Sequence, residues 1–160
     1  RRVGARAAER RSRRVMIIYV ESSAVLAWLL GESTESVVLD ALRNADRVVT
    51  SSLTALECAR GINRAMIDGR ITAVQQLAAL RLLDDAESAW HVHAMNDRVV
   101  ARARAQYPAE PVRTLDALHL ATALVIQESV GPLTLLTFDD RVRVNANALG
   151  FGLLPAALSR

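Results

Sequence analysis

Two stretches of this 160-residue chain, MIIYV (16–20) and LTLLTF (133–138), are too apolar to leave one side facing water. A half-exposed strand alternates apolar and polar residues, whereas short continuous apolar runs read as strands buried on both faces. Helical patterns separate them from each other and from the weaker strand candidates RVVT (47–50), WHVH (90–93) and GLLP (152–155). Strands that alternate with helices build a parallel sheet with helices on both sides. The expectation is one α/β domain of three layers, α/β/α, around a central, mostly parallel sheet. The length suits a single core.

Caps and stops delimit the helices. Ser22 or Ser23 caps one that reaches about Leu30 and stops at Gly31. A second spans about Thr34 to Asn44, and a third opens at Ser51 or Ser52 and reaches Ile67. Further helices are expected over Ile71–Asp84, Ala94–Gln106, Thr114–Glu128 and Arg141–Leu149, with Pro108 and Gly131-Pro132 as breakers.

The net charge of +3 is unevenly divided. Residues 1–15, RRVGARAAERRSRRV, hold seven arginines and one glutamate, while the other 145 hold 13 arginines and 16 acids. The first segment is expected to be a poorly ordered Arg-rich extension, because its charges repel and it has little apolar surface to bury. The folded domain is expected over 16–160. All 20 basic residues are arginine. The absence of lysine excludes P-loop, Schiff-base and kinase-type chemistry. Cys58 has no second cysteine to pair with, which fits a reducing cytoplasm; it is expected to be buried and inert. No apolar run approaches the roughly 18–20 residues of a membrane span, and no leader pattern is read at the N-terminus.

Four acids stand where core residues are expected. Glu21 follows the first apolar strand and Asp139 follows the second, with Asp140 beside it as a lesser candidate. Glu57 lies in SSLTALECARGI and Asp116 in VRTLDALHLATALVI. Parallel sheets bind ligands outside the carboxyl ends of their strands, where Glu21 and Asp139 fall. Taken singly, Glu21 and Asp139 can be helix caps, Glu57 can pair with Arg60 or Arg64, and Asp116 with Arg113. Taken together, crowded carboxylates repel one another and need a cation. Oxygen donors favour Mg²⁺ or Mn²⁺.

These motifs resemble the PIN-domain ribonucleases, and in particular the VapC toxins of toxin–antitoxin pairs. That family opens with an apolar strand and Asp-Thr/Ser-Ser, matched by Glu21-Ser22-Ser23. Its second acid precedes an arginine by three, as Glu57 precedes Arg60; its third begins Asp-Ala in an apolar helix, as Asp116-Ala117 does. Its fourth is Thr-x-Asp after an apolar strand, matched by Thr137-Phe138-Asp139. The likeness covers about residues 16–155 and implies a PIN fold and a metal-dependent endoribonuclease. Glu21, Glu57, Asp116 and Asp139 would be its catalytic and metal-binding residues, with Mg²⁺ the cofactor and Mn²⁺ able to substitute. It also implies a VapB-like antitoxin, an RNA substrate, products with 5′-phosphate and 3′-hydroxyl ends, and a homodimer. Trp28, Leu29 and Val38 are the apolar residues expected at the dimer face. The departure is Glu21 in place of the family's usual Asp, which lengthens the side chain by roughly 1.5 Å and can disturb a reactive geometry. Two alternatives follow: a catalytically weakened module that binds antitoxin or RNA, and a PIN-like deoxyribonuclease.

Around the acids, Ser22 and Thr137 can orient carboxylates, and His119, one helical turn after Asp116, can contact phosphate, hydrogen-bond an acid or simply pack. Arg60, Arg113, Arg141 and Arg143 are candidates to hold RNA phosphates. His91 and His93 share one face of a strand, a metal pair without an evident third ligand.

Overall fold

The computed structural model describes residues 15–158. The expectation for residues 1–15 falls, apart from Val15, outside that range. Five strands form one parallel sheet: β1 (Ile17–Val20), β2 (Arg47–Ser51), β3 (His91–His93), β4 (Thr134–Leu136) and β5 (Gly152–Leu154), in the order β3-β2-β1-β4-β5. Strand β1 is therefore central, as its sequence requires. Ile18 and Val20 face one side, with Ala24, Val25, Val38, Cys58, Ile62 and Leu83. Ile17 and Tyr19 face the other, with Leu120, Ala123, Leu133, Leu135, Val142 and Phe151.

The first layer is built by α1 (Ser22–Leu29), α2 (Glu35–Asn44), α3 (Ser52–Ile67) and α4 (Ala73–Ala89). Helices α6 (Thr114–Val130) and α7 (Asp140–Ala148) build the second, and α5 (Asp97–Ala103) packs on the outer side of α6. Gly61 lets α1 and α3 approach closely. A Cβ there would stand 2.8 Å from a Leu26 methyl. No helix among the described residues is long and apolar enough to cross a membrane.

Several boundaries differ from expectation. The strand expected over 133–138 keeps its ladder only across Thr134–Leu136. Beyond it, the Thr137 N–H donates to Leu154 O and the Phe138 N–H to Ser23 Oγ, so the chain leaves the ladder. The helix expected from Ala94 begins at Asp97, because Asn96 caps it by accepting the Val99 N–H at 3.0 Å. The helix expected over Ile71–Asp84 begins after a Thr72–Gln75 capping box and continues to Ala89. Its acids Asp84 and Asp85 point to solvent while Leu83 and Ala86 stay buried.

The residues expected at the dimer face belong to the chain's own core. Leu29 and Val38 are buried, and the partly buried Trp28 packs against Trp90 with ring centroids 6.0 Å apart. The exposed apolar residues lie elsewhere. Ile67, Val74 and Leu77, around the α3–α4 turn, are 77%, 79% and 52% exposed.

Candidate functional site

Parallel pairing carries the carboxyl ends of β1 and β4 to the same edge of the sheet. Glu21 stands at the first, and its N–H extends the ladder by donating to Leu136 O at 3.0 Å. Its carboxylate turns back over the start of α1. Oε2 accepts the Ser23 N–H at 3.0 Å, the Ser23 hydroxyl and the Thr137 hydroxyl at 2.9 Å, and Oε1 accepts the Ser22 hydroxyl at 2.5 Å. Glu21 is 5% exposed, and four donors offset the desolvation that a buried carboxylate suffers. It is thus an N-cap and a buried charge at once.

Asp139 does the same for α7: Oδ1 accepts the N–H groups of Arg141 at 2.8 Å and Val142 at 3.4 Å. Its own N–H donates to the Thr137 hydroxyl at 3.2 Å, so Thr137 bridges the two acids. Glu57 comes from the middle of α3. Among the described residues its partner is His119, whose Nε2 lies 2.6 Å from Oε2, rather than Arg60 or Arg64. Asp116 comes from the first turn of α6, and its Oδ2 is buried with no hydrogen-bond partner among the described residues.

Glu21, Glu57, Asp116 and Asp139 all line one cleft of about 340 Å³, together with Ser22, Ser23 and Arg113. Among the described residues, the group whose potential ligand atoms all lie within 4.8 Å of one another is Glu21, Glu57 and His119, without Asp116 or Asp139. Burial, then the charges of Asp139 and Glu21, push Asp116 above its usual carboxylate range, against the pull of Arg113 and Arg141. At Glu57 burial acts in the same direction, but the hydrogen bond from His119 opposes it, and the pKa is lowered. An orphaned carboxylate oxygen beside two other acids fits a cation better than it fits a proton-neutral pocket. The mainly oxygen donor set suits Mg²⁺ or Mn²⁺.

Other expectations resolve individually. Asp140 is exposed at the start of α7 and does not line the cleft. Arg60 lines an adjoining hollow of about 410 Å³ with Glu57 and the exposed Leu56 and Leu115. Arg143 is no phosphate ligand. It is buried, and its guanidinium donates to the carbonyls of Thr137, Leu154, Pro155 and Ala156 at 2.8 to 3.5 Å. Cys58 is wholly buried under Ser22, and burial with the nearby Glu21, Glu57 and Glu87 pushes its thiol far up, which leaves it inert. His91 and His93 line a separate hollow with Arg47 and Ser129, and no metal-binding trio among the described residues includes them. Sequence reasoning passed over Ser23, which holds Glu21 as closely as Ser22 does, and Tyr19. The signal for Tyr19 was a phenol on a strand otherwise aliphatic and buried, since a buried hydroxyl needs a partner.

Comparison with known proteins agrees with this architecture. The PIN domain family model matches residues 18–147. Ribonuclease VapC35 of Mycobacterium tuberculosis is 35% identical over 147 residues, which span 90% of this chain and 100% of that protein. The fold is shared with the crystal structure of Mycobacterium tuberculosis VapC20, a sarcin–ricin loop cleaving toxin, at TM-score 0.61 and 18% identity over 84% of this chain and 95% of that one. It is shared equally with a toxin–antitoxin complex from Klebsiella pneumoniae, at TM-score 0.62 and 15% identity over 89% and 99% of the two chains.

Proposed function

This chain belongs to the PIN-domain family as a relative of the VapC ribonucleases, and we propose that it is the toxin of a toxin–antitoxin pair, with the acidic cleft as its endoribonuclease centre. The observation that carries this reading is the meeting of four acids from four separate elements in one cleft. Glu21, Glu57, Asp116 and Asp139 would hold Mg²⁺ or Mn²⁺. The ion would supply positive charge to polarise the scissile phosphate and stabilise the departing 3′-oxygen.

The protein's own groups do the rest. Arg113 at the cleft, Arg141 close by and Arg60 in the adjoining hollow offer guanidinium forks to flanking phosphates. The carboxylates orient the attacking water and accept its proton. The hydroxyls of Ser22, Ser23 and Thr137 hold the Glu21 carboxylate in position. Leu56 and Leu115 give unstacked bases an apolar surface, as recognition of single-stranded RNA requires. A VapB-like antitoxin is the expected partner, the cytoplasm the expected compartment, and the exposed Ile67, Val74 and Leu77 the face for a second copy of the chain.

The test is cleavage of a structured RNA by the parent and by Asp116→Asn, in EDTA, Mg²⁺ and Mn²⁺. Cleavage that needs the ion and is lost in the variant supports the reading. RNA binding without cleavage in any metal would favour the non-catalytic module, and cleavage of DNA alone a deoxyribonuclease.

A further inference from the structure

Beneath the cleft two side chains outside the four-acid set, Tyr19 and His119, form a line that ends on Glu57. Tyr19 projects from β1 and is wholly buried, with its hydroxyl 2.8 Å from His119 Nδ1. His119, 1% exposed, reaches Glu57 Oε2 with its other nitrogen at 2.6 Å, and that nitrogen lies 3.8 Å from Glu21 Oε1. The two rings meet edge to face, with centroids 6.1 Å apart and planes at 73°.

The polarity of this line is set by its ends. An ionised carboxylate only accepts, so the nitrogen that faces Glu57 at this distance carries hydrogen. In a neutral imidazole the other nitrogen is then an acceptor and needs a donor, which the Tyr19 phenol supplies. A phenol carries its proton at neutral pH, so the Tyr19 hydroxyl is a donor to that nitrogen. One oxygen of Glu57 is committed to this line. The other remains for the cleft.

We propose that His119 is a positioning residue for Glu57: it donates its Nε2–H to Oε2, Tyr19 fixes the ring from behind, and the second Glu57 oxygen is thereby aimed at the cation. This rests on the reading that Glu57 is a metal ligand. The role is distinct from that of a ligand, because an imidazole that binds a metal through Nε2 must give up the hydrogen there. Partners that orient a ligand in this way typically account for about 10- to 100-fold in metal affinity.

The test uses the full chain without RNA. Histidine ¹⁵N NMR at pH 8 should show His119 protonated at Nε2, with and without the diamagnetic Mg²⁺. Mn²⁺ titration should show affinity reduced about 10- to 100-fold in His119→Leu and less in Tyr19→Phe, with His119→Gln, which restores an N–H donor, recovering most of the loss. Far-UV circular dichroism checks folding. If His119→Leu does not fold, Tyr19→Phe, which keeps the ring, carries the test through the ¹⁵N signature and the affinity together. A deprotonated Nε2 in the presence of Mg²⁺ would overturn the proposal and make His119 a ligand. Parent-like affinity in both Tyr19→Phe and His119→Leu would overturn it too. A parent that binds no Mn²⁺, or Glu57→Gln binding as tightly as the parent, would instead sink the underlying reading of the cleft.

Discussion

The Glu21 carboxylate caps the helix that follows it, with Oε2 accepting the Ser23 N–H at 3.0 Å. Capping and metal binding are therefore not alternatives at this residue, and a substitution must be chosen to separate them. Glu21→Gln keeps an oxygen for the cap and removes the charge. It should leave the melting temperature within a few degrees of the parent and lower RNA cleavage by about 100-fold or more, by analogy with lost ligand-orienting groups, which already account for 10- to 100-fold. Glu21→Asp keeps charge and cap, and should cleave within about tenfold of the parent in Mn²⁺, the more tolerant ion. Equal rates for the parent and Glu21→Gln would reduce Glu21 to a cap.

Asp116 supplies a pH signature. Burial and the charges of Asp139 and Glu21 hold its folded-state pKa above the usual carboxylate range, so the folded chain binds that proton more tightly than the unfolded chain does. The stabilisation is complete below the unfolded value and is lost as pH rises through the folded one, which leaves ionised Asp116 a strain at neutral pH. In EDTA at pH 7, Asp116→Asn should therefore melt higher than the parent, and the gain should vanish near pH 3.5. A divalent ion at about 100 times its Kd stabilises by about 2.7 kcal/mol, or about 5–10 °C, and the variant should show much less of that rise.

Arg143 offers a purely structural test. Its guanidinium serves four carbonyls that tie the chain after β4 to the chain after β5. Arg143→Ala removes the donors to the Thr137, Pro155 and Ala156 carbonyls, while Leu154 O keeps the Thr137 N–H, and should destabilise by about 1–3 kcal/mol in urea unfolding. Arg143→Lys should recover only part of this, since an ammonium is a point charge and not a planar fork.

Thr137→Val keeps the shape and removes the hydroxyl between Glu21 and Asp139. The expected loss is about 1–3 kcal/mol in stability, together with about 10- to 100-fold in cleavage at saturating RNA. Loss of stability with an unchanged rate would show that the hydroxyl matters to the fold alone.

Val74→Glu combined with Leu77→Glu places two charges on the exposed apolar face beside the α3–α4 turn. Light scattering at tens of micromolar protein should give a dimer mass for the parent and a monomer mass for the double variant. A monomeric parent would remove the dimer from the proposal.

Much of this was legible in the sequence because it is local. MIIYV and LTLLTF announce a doubly covered sheet, and each of the four acids is conspicuous against an apolar background. What stayed hidden depends on partners distant in the chain. Phe138 reads as strand, yet its N–H turns to Ser23, 115 residues away. Tyr19 reads as core, and its hydroxyl finds His119 only across 100 residues. Arg143 reads as surface charge, because nothing near it in the chain announces four inward-facing carbonyls. Leu29 and Val38 read as a free apolar face because apolar periodicity is the same whether the cover is the chain's own sheet or a second copy.

The position of β4 has a consequence for synthesis. It is fourth in the chain but pairs directly with the first strand, and it brings Thr137 to Glu21 across 116 residues. A ribosome releases the chain from its N-terminus, so β1 emerges long before the strand that completes it. Until then one edge of β1 is open, Glu21 lacks the Thr137 donor, and Asp139 does not yet exist. A cleft ordered in this way is incomplete while β4 is still to be translated. The acids meet only once β4 has emerged, and any message cut short before it yields a fragment without Thr137 and Asp139.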